Sequence, residues 1–361
     1  MAGVPQVGQT MTAAPGVWAP AGVVLGYQWL RNGTAISGAT SSAYVLQPGD
    51  KDQTIAVAVT GAMSGMASLT KTSTALTVTA AVATSGSLVP LPPARLLDTR
   101  TGLGGQGPVG ANSTVGLQVT GRGGVPASGV AAVVVNVTVT ATQAGGFVTV
   151  YPSGTAMPTA STLNYTAGQT VPNLAIVKVG TAGMVNLTNS SPGTAQLTVD
   201  VAGYYLAGTP TVAGSLAILT PTRLLDTRTG NGAAGPVPAG GTVTLQVAGR
   251  PGLPTSGISA VVMNVTVTDT TAPGYITVYP SGSTQPASSN LNYVAGQTVP
   301  NLVMVKVGPD GNVKLTNSSP GTASLIADVS AYTLAGTPVV PGSLAILDPT
   351  RLLDTRTGNG A

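Results

Sequence analysis

The chain has 361 residues, of which 43% are hydrophobic and only 7% charged, and its formal net charge is +4. It contains no His, no Cys and no Glu, which excludes disulfides, thiolate chemistry, Ser-His-Asp catalysis and histidine-ligated metals. No basic cluster and no apolar run of membrane-spanning length occurs, so the sequence predicts neither nucleic-acid binding nor a membrane span. We therefore expect a protein that is not an enzyme and holds no cofactor or metal.

The first 82 residues read as a small β-sandwich. Short runs rich in Val and Thr are separated by turn signals such as Asn32-Gly33, a dipeptide typical of β-hairpins. Trp29 lies in the middle of one run, where an immunoglobulin-type sandwich buries a Trp. The predicted strands are Thr10–Ala13, Val24–Arg31, Ser42–Leu46, Thr54–Thr60 and Ala75–Thr79.

This segment also resembles the bacterial Ig-like modules of secreted and surface proteins of high-GC Gram-positive bacteria. The residues that carry the resemblance are Val7–Thr10, Pro15–Trp18, Tyr27–Ile36 and Ile55–Val59. The resemblance implies an Ig-like domain over residues 1–82, held together without the usual cysteine pair.

The rest of the chain repeats with a period of 128 residues. The hexamer Arg-Leu-Leu-Asp-Thr-Arg begins at Arg95, Arg223 and Arg351, and about two thirds of aligned positions between the copies are identical. A unit of this length has the size of a whole domain rather than of a solenoid coil. The sequence predicts repeat 1 over residues 86–213 and repeat 2 over residues 214–341. Residues 342–361 are either the start of a third repeat or the closing strand of repeat 2.

Eight extended runs per repeat predict an antiparallel sandwich of jelly-roll type. In one of them Val133, Val135 and Val137 alternate with polar or outward positions, the period of a strand that covers a core. The runs in repeat 1 are Arg95–Thr99, Thr114–Thr120, Ala132–Thr140, Phe147–Tyr151, Thr162–Tyr165, Leu174–Val179, Met184–Thr188 and Ala195–Tyr205. The predicted fold class is all-β: an N-terminal Ig-like sandwich followed by two tandem jelly-roll-like antiparallel β-sandwich domains.

The 128-residue unit resembles a repeat of actinobacterial extracellular proteins. The motifs that carry this resemblance are Arg95–Gly102, Val134–Thr138, Val148–Gly154, Leu163–Tyr165, Ala167–Leu174 and Asp200–Tyr204. In that family such repeats accompany cell-wall hydrolases, peptidases or other Ig-like modules, which implies an accessory or surface role.

The hexamer is the most charged element of each unit and admits several interpretations. As a regular strand, it would direct Arg95, Leu97 and Thr99 to one face. A structural interpretation pairs Asp98 with Arg100 or with the last strand, as a clasp that fixes register. The alternative is that the arginines grip an anionic glycan or teichoic acid. It also stays open whether the hexamer belongs to the following or the preceding module. The predicted clasp residues are Arg95, Asp98, Arg100, Arg223, Asp226, Arg228, Arg351, Asp354 and Arg356.

Tyrosines near strand ends suggest a second site. Tyr faces stack on sugar rings and Asn side chains bond hydroxyls, although such tyrosines also rim cores. The candidate glycan contacts are Tyr151, Tyr165, Tyr204, Asn164, Tyr279, Tyr293 and Asn292. Gly102, Gly104 and Gly107 match a dinucleotide fingerprint, but no helix follows them, so we interpret them as loop glycines.

Three functions remain open at the level of sequence. The first is a non-enzymatic extracellular or cell-wall-associated segment that serves as a stalk, an adhesin or a glycan-associated module. The second is a subunit of an extracellular filament or phage tail fibre that self-associates by strand or edge pairing. The third is an accessory region of a larger cell-wall hydrolase or peptidase.

Overall fold

A computed structural model of the protein describes residues 1–105, 107–349 and 352–353. The chain divides into two compact units. Unit 1 consists of Met1–Ala83 and Val339–Pro341, and unit 2 of Thr84–Pro338 and Gly342–Ala361. Within the described part of the chain, no helix has the length and apolar character needed to cross a membrane.

Unit 1 is an Ig-like sandwich whose core surrounds Trp29. The Trp29 side chain is fully buried, donates to the backbone oxygen of Ser41 at 2.9 Å and stacks on Tyr44. A two-stranded sheet, β1-β4, faces a sheet in the order β3-β2-β5-β6, with β7 also pairing β5. The strands are β1 Thr10–Thr12, β2 Val24–Arg31, β3 Thr34–Ala35, β4 Ala43–Val45, β5 Thr54–Ala62, β6 Leu69–Thr72 and β7 Leu76–Thr77. A 3-10 turn covers Pro48–Asp50.

The predicted hairpin at Asn32-Gly33 joins β2 to β3. Both residues have positive φ, 49° and 80°, as the tight turn requires, and Arg31 pairs with Thr34 across it. The sequence did not predict β3 or β6, because these edge strands are short and exposed along their whole length.

Repeat 1 is a jelly roll of two four-stranded antiparallel sheets. One sheet has the order β13-β10-β15-β8 and the other β12-β11-β14-β9. The strands are β8 Leu88–Asp98, β9 Ser113–Gln118, β10 Val130–Thr140, β11 Gly146–Pro152, β12 Leu163–Tyr165, β13 Val171–Lys178, β14 Met184–Ser190 and β15 Gln196–Leu206. A 3-10 turn covers Thr181–Gly183.

Repeat 2 has the same topology. Its sheets are β16-β23-β18-β21 and β17-β22-β19-β20. The strands are β16 Leu216–Asp226, β17 Thr242–Gln246, β18 Ile258–Thr268, β19 Gly274–Pro280, β20 Leu291–Tyr293, β21 Val299–Lys306, β22 Asn312–Ser318 and β23 Ser324–Leu334.

Each jelly roll has its own core between its two sheets. Val133, Val135 and Val137 of β10 are fully buried in the core of repeat 1, as their alternation predicts. The corresponding Val261, Met263 and Val265 of β18 lie in the core of repeat 2. The predicted all-β class with jelly-roll sandwiches is confirmed.

The hexamer belongs to the repeat that it opens. It forms the end of β8 in repeat 1 and of β16 in repeat 2, and each of these strands pairs with the last strand of the same repeat. The closing position of repeat 2 is therefore filled by β16. In the third hexamer Arg351, Asp354 and Arg356 lie outside the described residues.

Candidate functional site

A β-bulge shapes the hexamer. In repeat 1 Arg95 pairs with Asp200 and Leu97 with Val199, which leaves Leu96 as an extra residue on β8. Leu96 and Leu97 are consequently both buried. The predicted regular alternation of the hexamer is therefore wrong, because a bulge places two successive side chains on the core side. Repeat 2 has the corresponding shift at Leu224.

The bulge brings the charged side chains of repeat 1 into one network. The Arg95 guanidinium donates through Nε and Nη2 to both carboxylate oxygens of Asp200, at 2.8 and 2.9 Å, and through Nη1 to Asp98 at 3.1 Å. Arg100 donates through Nε and Nη2 to Asp98 at 2.8 and 2.7 Å. The single bond from Arg95 to Asp98 thus links two bidentate pairs, and the pair of Arg95 with Asp200 joins the first strand to the last strand.

Repeat 2 has the same network. Arg223 donates to Asp328 at 3.0 and 3.2 Å and to Asp226 at 3.1 Å, and Arg228 donates to Asp226 at 2.9 and 2.8 Å. We call the four side chains of each network the clasp: Arg95, Asp98, Arg100 and Asp200 in repeat 1, and Arg223, Asp226, Arg228 and Asp328 in repeat 2.

The clasp shifts the pKa values of its carboxyl groups in two directions. Hydrogen bonds from Arg100 hold the pKa of Asp98 well below its usual range, and Arg228 lowers the pKa of Asp226 in the same way. In contrast, burial raises the pKa of Asp328, and the pairing with Arg223 offsets this only in part. The Asp328 side chain is 3% exposed, compared with 27% for Asp200.

Two further groups support the hexamer and were not predicted from the sequence. Thr99 accepts a hydrogen bond from the Leu197 backbone at 2.9 Å and bonds Gln196. Arg122 donates to the backbone oxygen of Leu96 at 3.0 Å, which satisfies the carbonyl at the bulge. Arg250 is its counterpart in repeat 2, at 3.3 Å from the Leu224 oxygen. The recurrence of this arginine at the 128-residue offset is the sequence signal from which its role could have been predicted.

The glycines of the dinucleotide-like motif form the turn after the hexamer. Gly102, Gly104 and Gly107 all have positive φ. The Asp98 N–H donates to the Leu103 oxygen at 2.8 Å across the turn, and no helix follows within the described residues of this loop. A Cβ on Gly104 would lie 2.3 Å from the Leu96 oxygen, so the motif serves close backbone packing.

The structure buries the tyrosines that were proposed to contact glycans. Their rings are at most 9% exposed and so present no free face for stacking, which corrects that hypothesis for Tyr151, Tyr165, Tyr204, Tyr279 and Tyr293. The hydroxyls of Tyr151, Tyr165, Tyr279 and Tyr293 have partners inside the fold. The Tyr151 hydroxyl lies 3.1 Å from Thr188, and Tyr165 donates to the buried Asn189. Of the two asparagines, Asn164 is half-buried and accepts from Ser161, whereas Asn292 is exposed.

Repeats 1 and 2 contact each other within unit 2. Asn173 donates to the Asn264 side-chain oxygen at 3.0 Å, and Asn264 donates to the Ser161 backbone oxygen at 2.7 Å. The Leu302 N–H donates to Asn173 at 3.3 Å, and Arg223 also reaches the Thr159 oxygen at 3.3 Å. These bonds join β13 and the loop before β12 of repeat 1 to the outer face of one sheet of repeat 2.

Apolar side chains complete this contact. A buried cluster combines Ala132, Ile176 and Tyr205 of repeat 1 with Leu216, Val262 and Ala331 of repeat 2. Nearby, a groove of about 290 Å³ brings Asn164 beside Arg223 and Arg228. It is the place where a predicted glycan contact meets predicted clasp residues. Both of these arginines are already engaged in the ion pairs of the clasp.

No protein-family model matches the sequence, and the comparison with curated proteins gives no match. Among solved structures, the chain is similar to the PBSX exported protein XepA, with 12% identity over 66% of this chain and 86% of that one and a TM-score of 0.22. The STIV MCP matches with 6% identity over 69% and 96% of the two chains and a TM-score of 0.27. The CBM22-1-CBM22-2 tandem domain of Paenibacillus barcinonensis Xyn10C matches with 10% identity over 93% and 99% and a TM-score of 0.18. Similarities at this level carry no information about what the chain binds.

Proposed function

We propose that the chain is a non-enzymatic structural segment of an extracellular or cell-wall-associated protein, in which tandem jelly rolls act as a spacer. The observation that carries this proposal is the clasp. Its arginines and aspartates form bidentate ion pairs inside their own jelly roll, so the most charged element of each repeat joins strands instead of presenting charge to a ligand.

The contact between the repeats supports a role as a spacer with restricted internal motion. Flexible linkers allow tandem domains to move independently, whereas a hydrogen-bonded apolar interface restricts that motion. Here Asn173 and Asn264 bond each other beside a buried cluster that contains Ile176 and Val262. The resemblance of the repeat to those of actinobacterial extracellular proteins supports the location outside the cell.

The proposal is tested by separating stability from binding. We expect Asp98→Ala and Asp226→Ala to lower the melting temperature, with a loss of roughly 1–3 kcal/mol of unfolding free energy each, because two arginines lose their partner. Asp52→Asn is the control, because the exposed Asp52 has a positive φ of 60° that Asn tolerates, and it should leave the melting temperature unchanged. Thermal denaturation of the four proteins measures this effect.

The same variants are then tested at a temperature where all are folded, in a sedimentation assay with purified Gram-positive cell wall that contains teichoic acid. Retention that is equal for all four proteins supports the structural role of the clasp. If Asp98→Ala or Asp226→Ala kept the native melting temperature and changed retention on the wall, the hexamer would be a binding site and the proposal would fail.

A fibre-forming subunit is the second candidate, and one observation favours it. Repeats 1 and 2 contact each other through different surfaces, one that contains Asn173 and one that contains Asn264. A contact between two different surfaces can recur from one subunit to the next, and it builds a filament when the subunits do not close into a ring. Negative-stain microscopy over a range of concentrations distinguishes the two candidates. Uniform monomers argue against the fibre, whereas concentration-dependent filaments argue against the spacer.

A further inference from the structure

Three equivalent tripeptides, which we call corners, meet in unit 2. The segment Gly-Ser-Leu opens each copy of the repeat, at Gly86–Leu88, Gly214–Leu216 and Gly342–Leu344. The Leu216 N–H donates to the Gly86 oxygen at 2.9 Å, and the Leu344 N–H donates to the Gly214 oxygen at 2.8 Å. The Leu88 N–H donates to the Gly342 oxygen at 2.9 Å, which closes the cycle. Three like bonds in a closed cycle are the pattern that a threefold axis generates.

The geometry at the three corner glycines is also equivalent. Gly86, Gly214 and Gly342 have φ of 77°, 76° and 77°. A Cβ on any of them would lie between 2.3 and 2.7 Å from the backbone oxygen of a leucine in the next corner. Leu88, Leu216 and Leu344 all pack on one apolar cluster.

The segment after the third corner lies beside repeat 2, although it forms no strand over residues 343–349. Asp348 forms an ion pair with Lys306 of β21 at 2.8 Å, so the third copy begins beside β21 of repeat 2. The corresponding part of repeat 2, at Pro221, lies beside Leu174 and Ile176 of β13 in repeat 1. Residues 342–361 are identical to residues 214–233 except that Asp348 replaces Thr220.

The contact between repeats 1 and 2 joins two different faces. We define the front face by Ser161, Asn173 and Ile176 of repeat 1, and the back face by Val262, Asn264 and Asp328 of repeat 2. The front face of repeat 2 consists of the corresponding residues Ser289, Asn301 and Met304. The back face of repeat 1 consists of Val134, Asn136 and Asp200.

These two counterpart faces are more open than the faces that are in contact. On the front face, Met304 of repeat 2 is 38% exposed, whereas Ile176 of repeat 1 is 9% exposed. On the back face, Val134 is partly exposed whereas Val262 is fully buried. Asp200 is likewise more exposed than Asp328, as the clasp shows. One front face and one back face thus remain only partly covered on either side of the third corner, where Val134 packs on the shared apolar cluster and Lys306 pairs with Asp348.

We propose that these two open faces together form the docking site for a third jelly roll of the same repeat, whose opening residues are Gly342–Leu344, and that the three jelly rolls make a closed pseudo-threefold ring. The back face of the third jelly roll covers Met304 of repeat 2, and its front face covers Asp200 of repeat 1. This proposal does not depend on the spacer function, because it concerns only how the repeats assemble.

A second copy of the whole chain fits these faces less well. A second chain would bring two jelly rolls, whereas the three-membered cycle of corners accommodates one more jelly roll. In addition, Gly342–Leu344 of the first chain already forms the third corner of the cycle. The occupant is therefore a single repeat joined to residue 342 through its own first strand.

Cysteine labelling tests the docking site, since the natural chain has no cysteine among its residues. Three single variants are made, Met304→Cys, Ile176→Cys and the control Leu69→Cys, whose natural side chain in unit 1 is 53% exposed. Each is made in this chain and in an extended chain that carries a copy of residues 234–341 after Ala361. Residues 342–361 and that addition together make a complete third repeat.

In this chain we expect Met304→Cys and Leu69→Cys to react with a soluble maleimide and Ile176→Cys to be protected. In the extended chain Met304→Cys should become protected, with labelling slowed by about tenfold or more, while Leu69→Cys stays reactive. Met304→Cys labelling that is equally fast in both folded chains would overturn the proposal.

A second measurement needs only the chain as it is and keeps the proposal falsifiable if the extended chain does not fold. Gly342→Ala places a Cβ against the backbone of Leu88 and should lower the melting temperature of unit 2. The control is Gly257→Ala, which has the same positive φ of 78° but nothing within 4 Å of the added Cβ. Equal effects of the two substitutions would show that the third corner is not docked, and the ring would fail.

Discussion

At the scale of single residues, each clasp carboxylate is held by more than one donor. Asp98 accepts hydrogen bonds from Arg95, Arg100 and the Arg100 backbone, and its side chain is nearly inaccessible to solvent. Removing one partner of such a pair leaves the others with unsatisfied charge, which costs more than the intact pair contributes. This arrangement favours a structural role for the clasp, in which it determines that the first strand of each repeat pairs with the last.

The lowered pKa values of Asp98 and Asp226 predict a loss of stability in acid. A carboxyl group with a lowered folded-state pKa stabilises the fold fully above its unfolded-state pKa of about 4, and this contribution is lost as the pH falls through the folded-state pKa. Burial raises the pKa of Asp328, so protonation of that group acts in the opposite direction. The hydrogen bond from Ser281 also lowers the pKa of Asp310. We expect the lowered groups to prevail and the melting temperature to fall below about pH 4.

Melting temperatures recorded between about pH 2 and 6 check this prediction. Asp98→Asn should be less stable than the natural protein near neutral pH and should lose less stability on acidification, because the titrating group is gone. The exposed Asp52→Asn serves as the control and should follow the natural curve. An acid dependence of Asp98→Asn that is as steep as that of the natural protein would contradict the proposed pairing.

At the scale of elements, the bulge at Leu96 and the glycine turn after it act together. The turn returns the chain across β8, and Gly104 lies against the Leu96 carbonyl that the bulge displaces. Arg122 donates to the same carbonyl at 3.0 Å. The bulge, the glycine turn and Arg122 therefore all meet at the Leu96 carbonyl and form a single structural feature at the end of β8.

Two alanine substitutions in this turn should differ in their effect. Gly102→Ala and Gly104→Ala both force positive φ on a residue with a side chain, at a cost of about 1 kcal/mol. Only the Cβ at Gly104 would contact the Leu96 oxygen, at 2.3 Å, whereas nothing lies within 4 Å of Gly102. We expect Gly104→Ala to be clearly the more destabilising in urea unfolding. Equal unfolding midpoints would contradict the close packing at the bulge.

The pattern of the sequence predicts the regular elements better than the irregular ones. Val133, Val135 and Val137 reveal β10 because a two-residue period has one physical cause, a strand that covers a core. The bulge at Leu96 has no such signal, since two adjacent leucines fit either face of a strand. The burial of Tyr165 on Asn189 depends on β12 and β14, which lie on either side of β11 and come together only in the folded protein. A local pattern cannot report such a contact.

At the scale of the whole molecule, the repeat length predicts tandem domains and indicates nothing about a contact between them. The two jelly rolls lie in one compact unit, joined by Asn173, Asn264 and an apolar cluster. The 128-residue repeat does not predict this contact. Both copies contain a front face and a back face, so the sequence does not indicate which of these faces are in contact. Only their difference in exposure distinguishes the faces that are in contact from those that are open.

Hydrogen exchange in increasing denaturant is the most direct test of the claim that the repeats form one structural body. Amides of β10 in repeat 1 and β18 in repeat 2 report the free energy of opening of each jelly roll. Equal opening free energies with the same denaturant dependence are the expected result, and Asn264→Ala should lower both together. If β10 and β18 opened at different denaturant concentrations and Asn264→Ala affected only repeat 2, the repeats would be independent modules and the claim would be contradicted.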